Sequence, residues 1–187
     1  MKRGALKILV VELVLIFVSC RLEAQQYSLS TNGFDYIAFG TINVKAGCSP
    51  LRNYSFHLGF EYNPFQFGKR DSREQFKHIS ASLEGRYWPW FVNSGWFFSS
   101  ALTYCKYSFG GIFTKKSYEG RAIGVNLGGG YAWMLSKSVN LELGLGAFVG
   151  GTKYKRYSCV KCGVEEQEKN KLVVSPSDVL LAITIIF

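Results

Sequence analysis

The C-terminal segment "SDVLLAITIIF" (residues 177–187) alternates between two kinds of side chain. Val179 and Ile185 belong to a wholly apolar set, whereas Asp178 and Thr184 belong to the set between them. Successive side chains of a β-strand point to opposite faces, so a period of two predicts a strand. The end of the chain is therefore expected to be a strand with one unusually apolar face.

Seven further segments repeat this alternation, although the first of them is the weakest. Each core run is roughly the 9–11 residues that a tilted strand needs to cross a bilayer. Together with the terminal segment they predict eight strands. The segments are "QYSLSTNGFDY" (26–36), "TINVKAGC" (41–48), "YSFHLGFEYN" (54–63), "HISASLEGRYW" (78–88), "WFFSSALTYCKY" (96–107), "AIGVNLGGGYAW" (122–133) and "VNLELGLGAFVGG" (139–151).

The connections between these strands alternate in length. Residues 49–53, 88–95 and 135–138 form short or moderate turns, whereas the intervening connections, such as 154–176, are longer and charged. Only the first connection on the long side, around 37–41, is short. Short turns at one end and long loops at the other are typical of outer-membrane barrels. The sequence thus predicts an all-β fold, an eight-stranded antiparallel up-and-down transmembrane β-barrel.

A soluble eight-stranded barrel or sandwich is the competing interpretation, because its strands alternate as well. Its polar face would meet water, where Lys and Glu are expected. The polar faces here are instead small and rich in glycine, which suits a crowded interior. Large aromatic residues also gather at the short-turn side, as in an interfacial girdle, and this pattern favours the membrane barrel. They are Trp88, Trp90, Trp96 and Trp133.

The N-terminus has the layout of a secretory signal peptide. A basic lead precedes an apolar run and a small-residue exit, so we expect cleavage after Ala24 and a barrel domain over 25–187. Lipidation at Cys20, in "FVSC", is the alternative. Removing residues 1–24 takes away four basic and two acidic residues, so the formal charge falls from +9 to +7. For an exported chain, this charge favours anionic lipid head groups over nucleic acid as partners.

A set of ionisable side chains occupies positions of the strands that are predicted to face the barrel interior. Eight strands leave a bore that side chains just fill, which argues against a general porin. Two fixed cations would face four acids, so we expect a network of ion pairs in which a histidine carries a balancing proton. A structural plug is favoured over an ion pathway. The set comprises Lys45, His57, Glu61, His78, Glu84, Arg86, Glu142 and Asp178.

Enzyme activity is not expected, and no catalytic, cofactor-binding or metal-binding residue is assigned. Ser55 and His57 share the inward face, whereas a lipid-modifying enzyme needs its nucleophile open to the lipid side. A Gly-x-Ser-x-Gly elbow is absent from the sequence. A lipid A-modifying acyl hydrolase or acyltransferase remains the alternative function.

A rim of basic residues is expected at the outward-facing positions of the strands next to the long loops. Such side chains can extend to the membrane interface and pair with the phosphates of lipopolysaccharide, at roughly 1 kcal/mol for each residue. Plain solvent exposure of loop-proximal Lys and Arg remains an equal alternative. The rim residues are Lys77, Lys106, Arg121, Lys153 and Lys155.

The last long connection contains "CVKC" (159–162). A zinc site would need further ligands, and a thioredoxin-like motif would need a strand-to-helix context. A local disulfide between Cys159 and Cys162, or pairing with a partner protein, remains. Cys48 and Cys105 are expected at opposite ends of the barrel and therefore unpaired with each other.

Three stretches carry a family resemblance: "LEGRYW" (83–88), the block from "GGGYAW" to "KYKRY" (128–157), and "CVKCG" (159–163). They resemble an uncharacterised family of small outer-membrane β-barrel proteins from Bacteroides-type bacteria, a domain of unknown function. The resemblance implies a barrel in the outer membrane and a link to fimbrial or surface assembly, with no enzyme activity. We therefore expect a non-enzymatic barrel whose loops bind a partner or brace the envelope. Its terminal Phe187 is expected to signal insertion to the barrel-assembly machinery.

Overall fold

The computed structural model describes residues 27–37, 40–67, 74–110, 117–157 and 165–187. The predicted signal peptide and the alternative lipidation site at Cys20 lie outside these residues. Within them, no helix is long and apolar enough to span a membrane. The elements are β1 (Tyr27–Asn32), α1 (Gly33–Ile37), β2 (Ile42–Leu51), β3 (Tyr54–Asn63), β4 (Gln66–Phe67), β5 (Glu74–Tyr87), β6 (Gly95–Gly110), β7 (Ser117–Met134), β8 (Val139–Tyr157) and β9 (Glu165–Ile186).

The strands close into a barrel. Each long strand pairs antiparallel with the next along the chain, and β1 pairs with β9 in the register Ser28 to Ile186. β3 pairs directly with β5, while the two residues of β4 only add to the edge of β5. The eight-stranded antiparallel up-and-down barrel predicted from the period-two pattern is confirmed. Pairing between β1 and β9 covers only Ala182–Ile186 of β9, so the outer part of this long strand is bonded to a described strand on its β8 side alone.

The apolar faces of the strands point outward. Leu145 and Leu172 are each 71% exposed, and Phe98 is 61% exposed. In contrast, Asn140 and Glu142, on the same strand β8 as Leu145, are fully buried. The large hydrophobic residues are therefore outside and the polar residues inside, the reverse of the usual distribution in a water-soluble domain.

Glycines let large side chains lie flat against the inner wall. The ring of Phe148 lies over Gly124 and Gly150, so a Cβ at Gly124 would stand 2.7 Å from its Cζ, and one at Gly150 2.5 Å. Gly47 lies under the ring of His57 in the same way. The glycine-rich inward faces noted in the sequence thus correspond to close approach inside the barrel.

The first predicted strand is too long. β1 ends at Asn32, and residues 33–37 form the short helix α1 instead of continuing the strand. The Asn32 side chain explains this change, because its Oδ1 accepts hydrogen bonds from the backbone N–H of Phe34 at 3.3 Å and of Leu181 at 2.9 Å. Asparagine favours such caps over strand continuation.

The long connection predicted over 154–176 is mostly strand. β8 continues to Tyr157 and β9 begins at Glu165. Pro176 lies within β9, although proline cannot donate to a strand ladder. The sheet accommodates it with a register shift between Gly146 and Ala147, opposite Pro176, so that pairing resumes on both sides.

The barrel is closed at the end where the short turns lie, which we call the short-turn end. Trp88 was expected in an exterior aromatic girdle, but it is fully buried, whereas Trp90 and Trp96 are 57% and 54% exposed. Its inward parity places it against Phe97 and Ala132, with ring centroids of Trp88 and Phe97 4.9 Å apart. Trp88 is thus part of an internal seal, and the girdle prediction is wrong for this residue.

Candidate functional site in the barrel interior

A cluster of four ions crosses the middle of the bore. Lys45 on β2 and Arg86 on β5 both pair with Glu84, also on β5. Arg86 Nη1 also donates to Glu142 Oε2 on β8 at 2.8 Å, so the cluster links opposite walls. We call these residues the central ion cluster. Four of the residues expected in an internal ion-pair network are therefore in contact.

Charge within the central ion cluster is balanced, since two cations face two carboxylates. Thr184 on β9 donates to Glu142 Oε1 at 2.7 Å, and the Arg86 guanidinium lies 4.6 Å from the ring centroid of Phe97. Paired and hydrogen-bonded charges avoid much of the penalty of burial. These four residues therefore need no histidine proton to balance their charge.

His57 lies between the central ion cluster and the seal. Its Nε2 is 2.9 Å from Ser55 Oγ, and this oxygen also accepts a 2.9 Å hydrogen bond from Trp88 Nε1. His57 Nδ1 has no hydrogen-bond partner among the described residues. A neutral ring suits this site, because a second buried N–H without a partner would be costly.

The Ser55–His57 pair has the spacing of a nucleophile and its base but not the surroundings. Ser55 is fully buried and His57 is 3% exposed. Trp88 covers the hydroxyl from the short-turn end, and no carboxylate hydrogen-bonds to the imidazole among the described residues. The pair is therefore packed in the interior, where Ser55 Oγ is in hydrogen-bond contact with both His57 and Trp88.

A wide cavity opens at the other end of the barrel, where the strands are joined through 33–41, 68–73, 111–116 and 158–164. We call this the outer end and the space the outer cavity. Its volume is about 910 Å³. Lys45 and Glu84 lie at its floor, where the central ion cluster begins. The expectation that side chains fill the whole bore is therefore correct only for the half nearer the short turns.

Two more of the expected interior residues line the outer cavity. Glu61 Oε2 accepts a hydrogen bond from Ser80 Oγ at 2.8 Å and lies 3.9 Å from His78 Nε2. The Glu61 side chain is 39% exposed, unlike the buried carboxylates below it. Asp178 follows Ser177 in β9, and its side chain is outside the described residues.

Aromatic residues around the outer cavity were missed in the sequence. Their signal was available, because extending the inward parity of β5 to β8 reaches each of them. Phe76, Tyr118 and Tyr154 lie in stretches that were assigned to long loops, whereas Tyr107 ends a predicted strand. These residues are Phe76, Tyr107, Phe109, Tyr118 and Tyr154.

Three of the five predicted rim cations form a row on the outside of the barrel. Lys106 pairs in register with Arg121, and Arg121 with Lys153, across three neighbouring strands. All three side chains are exposed. Lys77 and Lys155 belong to the next row, where Glu119 pairs in register with Lys155. The row of Lys106, Arg121 and Lys153 is thus the more concentrated positive surface.

The remaining sequence-based predictions concern cysteines and the last residue. Cys48 is buried near a short turn, and Cys105 lines the outer cavity, so the two are not bonded to each other. Cys159 and Cys162 lie outside the described residues. Phe187 is 66% exposed, and its backbone N–H donates to Tyr27 O at 2.9 Å, which extends the closing ladder.

The described residues contain no group of three or more His, Cys, Asp or Glu that could hold a metal ion. No curated protein and no solved structure shows significant similarity to the chain. A family match covers residues 10–187, which is nearly the whole sequence. The chain therefore belongs to the family described as "Protein of unknown function (DUF3575)".

Proposed function

We propose that this protein is a non-enzymatic outer-membrane β-barrel. One observation carries the proposal: the exposed wall is apolar, while glycines, hydroxyls and paired ions are inside. Leu145, Leu172 and Val174, each about 70% exposed, would be unfavourable in water but are suited to hydrocarbon. A soluble barrel would have the opposite arrangement.

The spacing of the outer residues also matches a bilayer. On β6, exposed Trp96 lies near the short turns and exposed Lys106 near the outer end. They are separated by about ten residues, the length of a transmembrane strand. The wall between them includes Phe98, Leu102 and Tyr104, all exposed. This pattern supports an apolar band between an aromatic and a cationic boundary.

The experiment is extraction of the chain from cell envelopes. We expect it in the outer-membrane fraction, soluble only in detergent, with gel migration that changes on heating because the folded barrel resists denaturation. Sequencing of the mature N-terminus would test cleavage after Ala24 against lipidation at Cys20. Recovery as a monomer in buffer without detergent would contradict the membrane proposal.

Lipopolysaccharide is the proposed partner of the outer wall. The row of Lys106, Arg121 and Lys153, supplemented by Lys77 and Lys155, would face its phosphates at the outer boundary. Replacing these five residues with Gln should reduce the lipopolysaccharide retained on purification. Retention at the level of the unchanged chain would indicate that these side chains are merely solvated.

The lack of lipid A-modifying activity is also a proposal. The burial of Ser55 and His57 supports it, because lipid cannot reach either side chain through the closed short-turn end. Mass spectrometry of lipid A from cells with and without the gene provides the test. We expect identical acylation patterns, and a difference that His57→Ala reproduces would favour the enzyme alternative.

The outer connections are proposed to contact a surface or fimbrial component, as the resemblance to small outer-membrane barrels suggests. β8 and β9 extend this region, since both strands are about twice the length needed to cross a bilayer. We retain a Cys159–Cys162 disulfide as part of this proposal. Mass spectrometry of peptides prepared without reduction would identify it, and alkylation of both thiols would exclude it.

A further inference from the structure

Among the described residues, the outer cavity is closed at its inner end. The central ion cluster crosses the bore beneath it, and Trp88 and Phe97 seal the barrel below that. Its volume of about 910 Å³ lies in the range of small-molecule sites. A blind cavity of this size is suited to holding a molecule, whereas conduction would need a second opening.

One wall of the outer cavity is lined by aromatic rings. Phe76 and Phe109 stack with centroids 4.7 Å apart, and Tyr107 stacks on Phe109 at 5.0 Å. Tyr118 and Tyr154 form a second pair at 5.9 Å. Aromatic faces bury large apolar area and carry negative charge density, so they favour flat apolar groups and cations.

The charged groups of the outer cavity differ in how they are satisfied. Lys45 and Glu84 are paired with each other. Glu61 receives a hydrogen bond from Ser80, while the nearest basic group among the described residues, His78, is 3.9 Å away. A carboxylate placed among aromatic rings is complementary to a protonated amine. Asp35 and Lys171 also line the cavity. Lys171 is exposed, so its charge is more strongly screened by water.

We infer that the outer cavity binds a small cationic amphiphile, a molecule with a flat aromatic or apolar body and a protonated amine. The body lies against the rings of Phe76, Tyr107 and Phe109, and the amine lies at Glu61. This inference rests on the cavity alone and does not require the proposed location in the outer membrane.

Fluorescence anisotropy of a flat cationic dye, rhodamine 6G, with the purified full-length chain provides the test. We expect saturable binding that weakens about tenfold in Glu61→Gln, because a charge-assisted contact is lost. Ala122→Trp should abolish binding by filling the outer cavity, since Ala122 lines it. Ala147→Trp is the matched control, because Ala147 is exposed on the outer wall of the neighbouring strand.

Two results would overturn the inference. One is equal dye binding by Ala122→Trp and Ala147→Trp, which would place the dye outside the cavity. The other is binding of the anionic dye fluorescein at least as tight as that of rhodamine 6G, which would assign the dominant charge to Lys171. Heat-dependent gel migration of each variant verifies that the barrel is folded before the dye is added.

Discussion

Glu84 holds the two cations of the barrel interior together. Lys45 and Arg86 both pair with it, and only Arg86 has a second carboxylate partner, Glu142. Removing one member of a buried ion network leaves charge without compensation, so the cost exceeds that of a surface pair. The ion pairs of Glu84 with Lys45 and Arg86 are therefore expected to contribute to the stability of the fold.

Glu84→Gln is expected to lower the free energy of unfolding by about 3–5 kcal/mol, because Arg86 and Lys45 lose their shared carboxylate. Urea titration in detergent micelles measures this change. Glu119→Gln is the matched control, since Glu119 is exposed on the outer wall and should change stability little. Equal effects of the two substitutions would contradict the role assigned to the cluster.

Trp88 and Trp90 provide a second comparison at the scale of single residues. Trp88 is fully buried in the seal, whereas Trp90 is 57% exposed. Trp88→Ala should destabilise the barrel by about 3–5 kcal/mol through the cavity that it leaves. Trp90→Ala should change the urea midpoint only slightly. Similar midpoints for both variants would show that the seal contributes little.

Among the elements, β9 joins the two ends of the chain into the closed sheet. It pairs with β8 over nearly its whole length and with β1 from Ser28 to Asn32. The Phe187 backbone extends this closure, while its side chain remains exposed. The contribution of the terminal residue to stability and its proposed contribution to assembly can therefore be separated.

On the proposed outer-membrane location, Phe187→Ala is expected to reduce the amount of assembled chain, with little change in the stability of the molecules that fold. The exposed side chain buries little apolar area in the barrel, whereas the proposed recognition by the barrel-assembly machinery needs the ring. Quantitative blotting of membrane fractions measures assembly. Phe98→Ala serves as the control, since Phe98 is 61% exposed on the same outer wall; equal losses would remove the special role of Phe187.

At the scale of the whole molecule, the described part of the bore has two halves. The seal and the central ion cluster fill the half nearer the short turns, and the outer cavity occupies the other half. Neither the seal nor the central ion cluster is formed by a single strand. Trp88 and Phe97 come from β6 and the turn before it, while Ala132 comes from β7. Closing the sheet brings these residues to one level of the bore.

The barrel is expected not to conduct ions. After reconstitution in planar bilayers, the purified chain should give no current steps above those of detergent alone. The bore is crossed by hydrogen-bonded side chains from opposite walls, including Arg86 and Glu142 at 2.8 Å. Reproducible unitary steps would contradict the closed floor and would also weaken the inference of a blind binding cavity.

The strand number, the order of pairing and the face that each residue presents could be predicted from the sequence alone. The strand number and the two faces follow from the local period of two in each strand segment. The order of pairing follows from the short turns that join successive strands. The inward parity of Glu84, Arg86 and Glu142 was predictable for the same reason. The ends and irregularities of the strands were harder to predict from the sequence. The helix after Asn32 and the bulge beside Pro176 both depend on contacts with a neighbouring strand.

Only the tertiary structure decided which inward residues meet and where the bore stays open. Arg86 and Glu142 are 56 positions apart in the chain and come into contact through barrel closure. Parity separates inside from outside but does not specify the level of a side chain along the bore, which depends on register and strand tilt. For that reason the sequence by itself determined the inside and outside of this protein, while the folded barrel determined its seal, its ion cluster and its cavity.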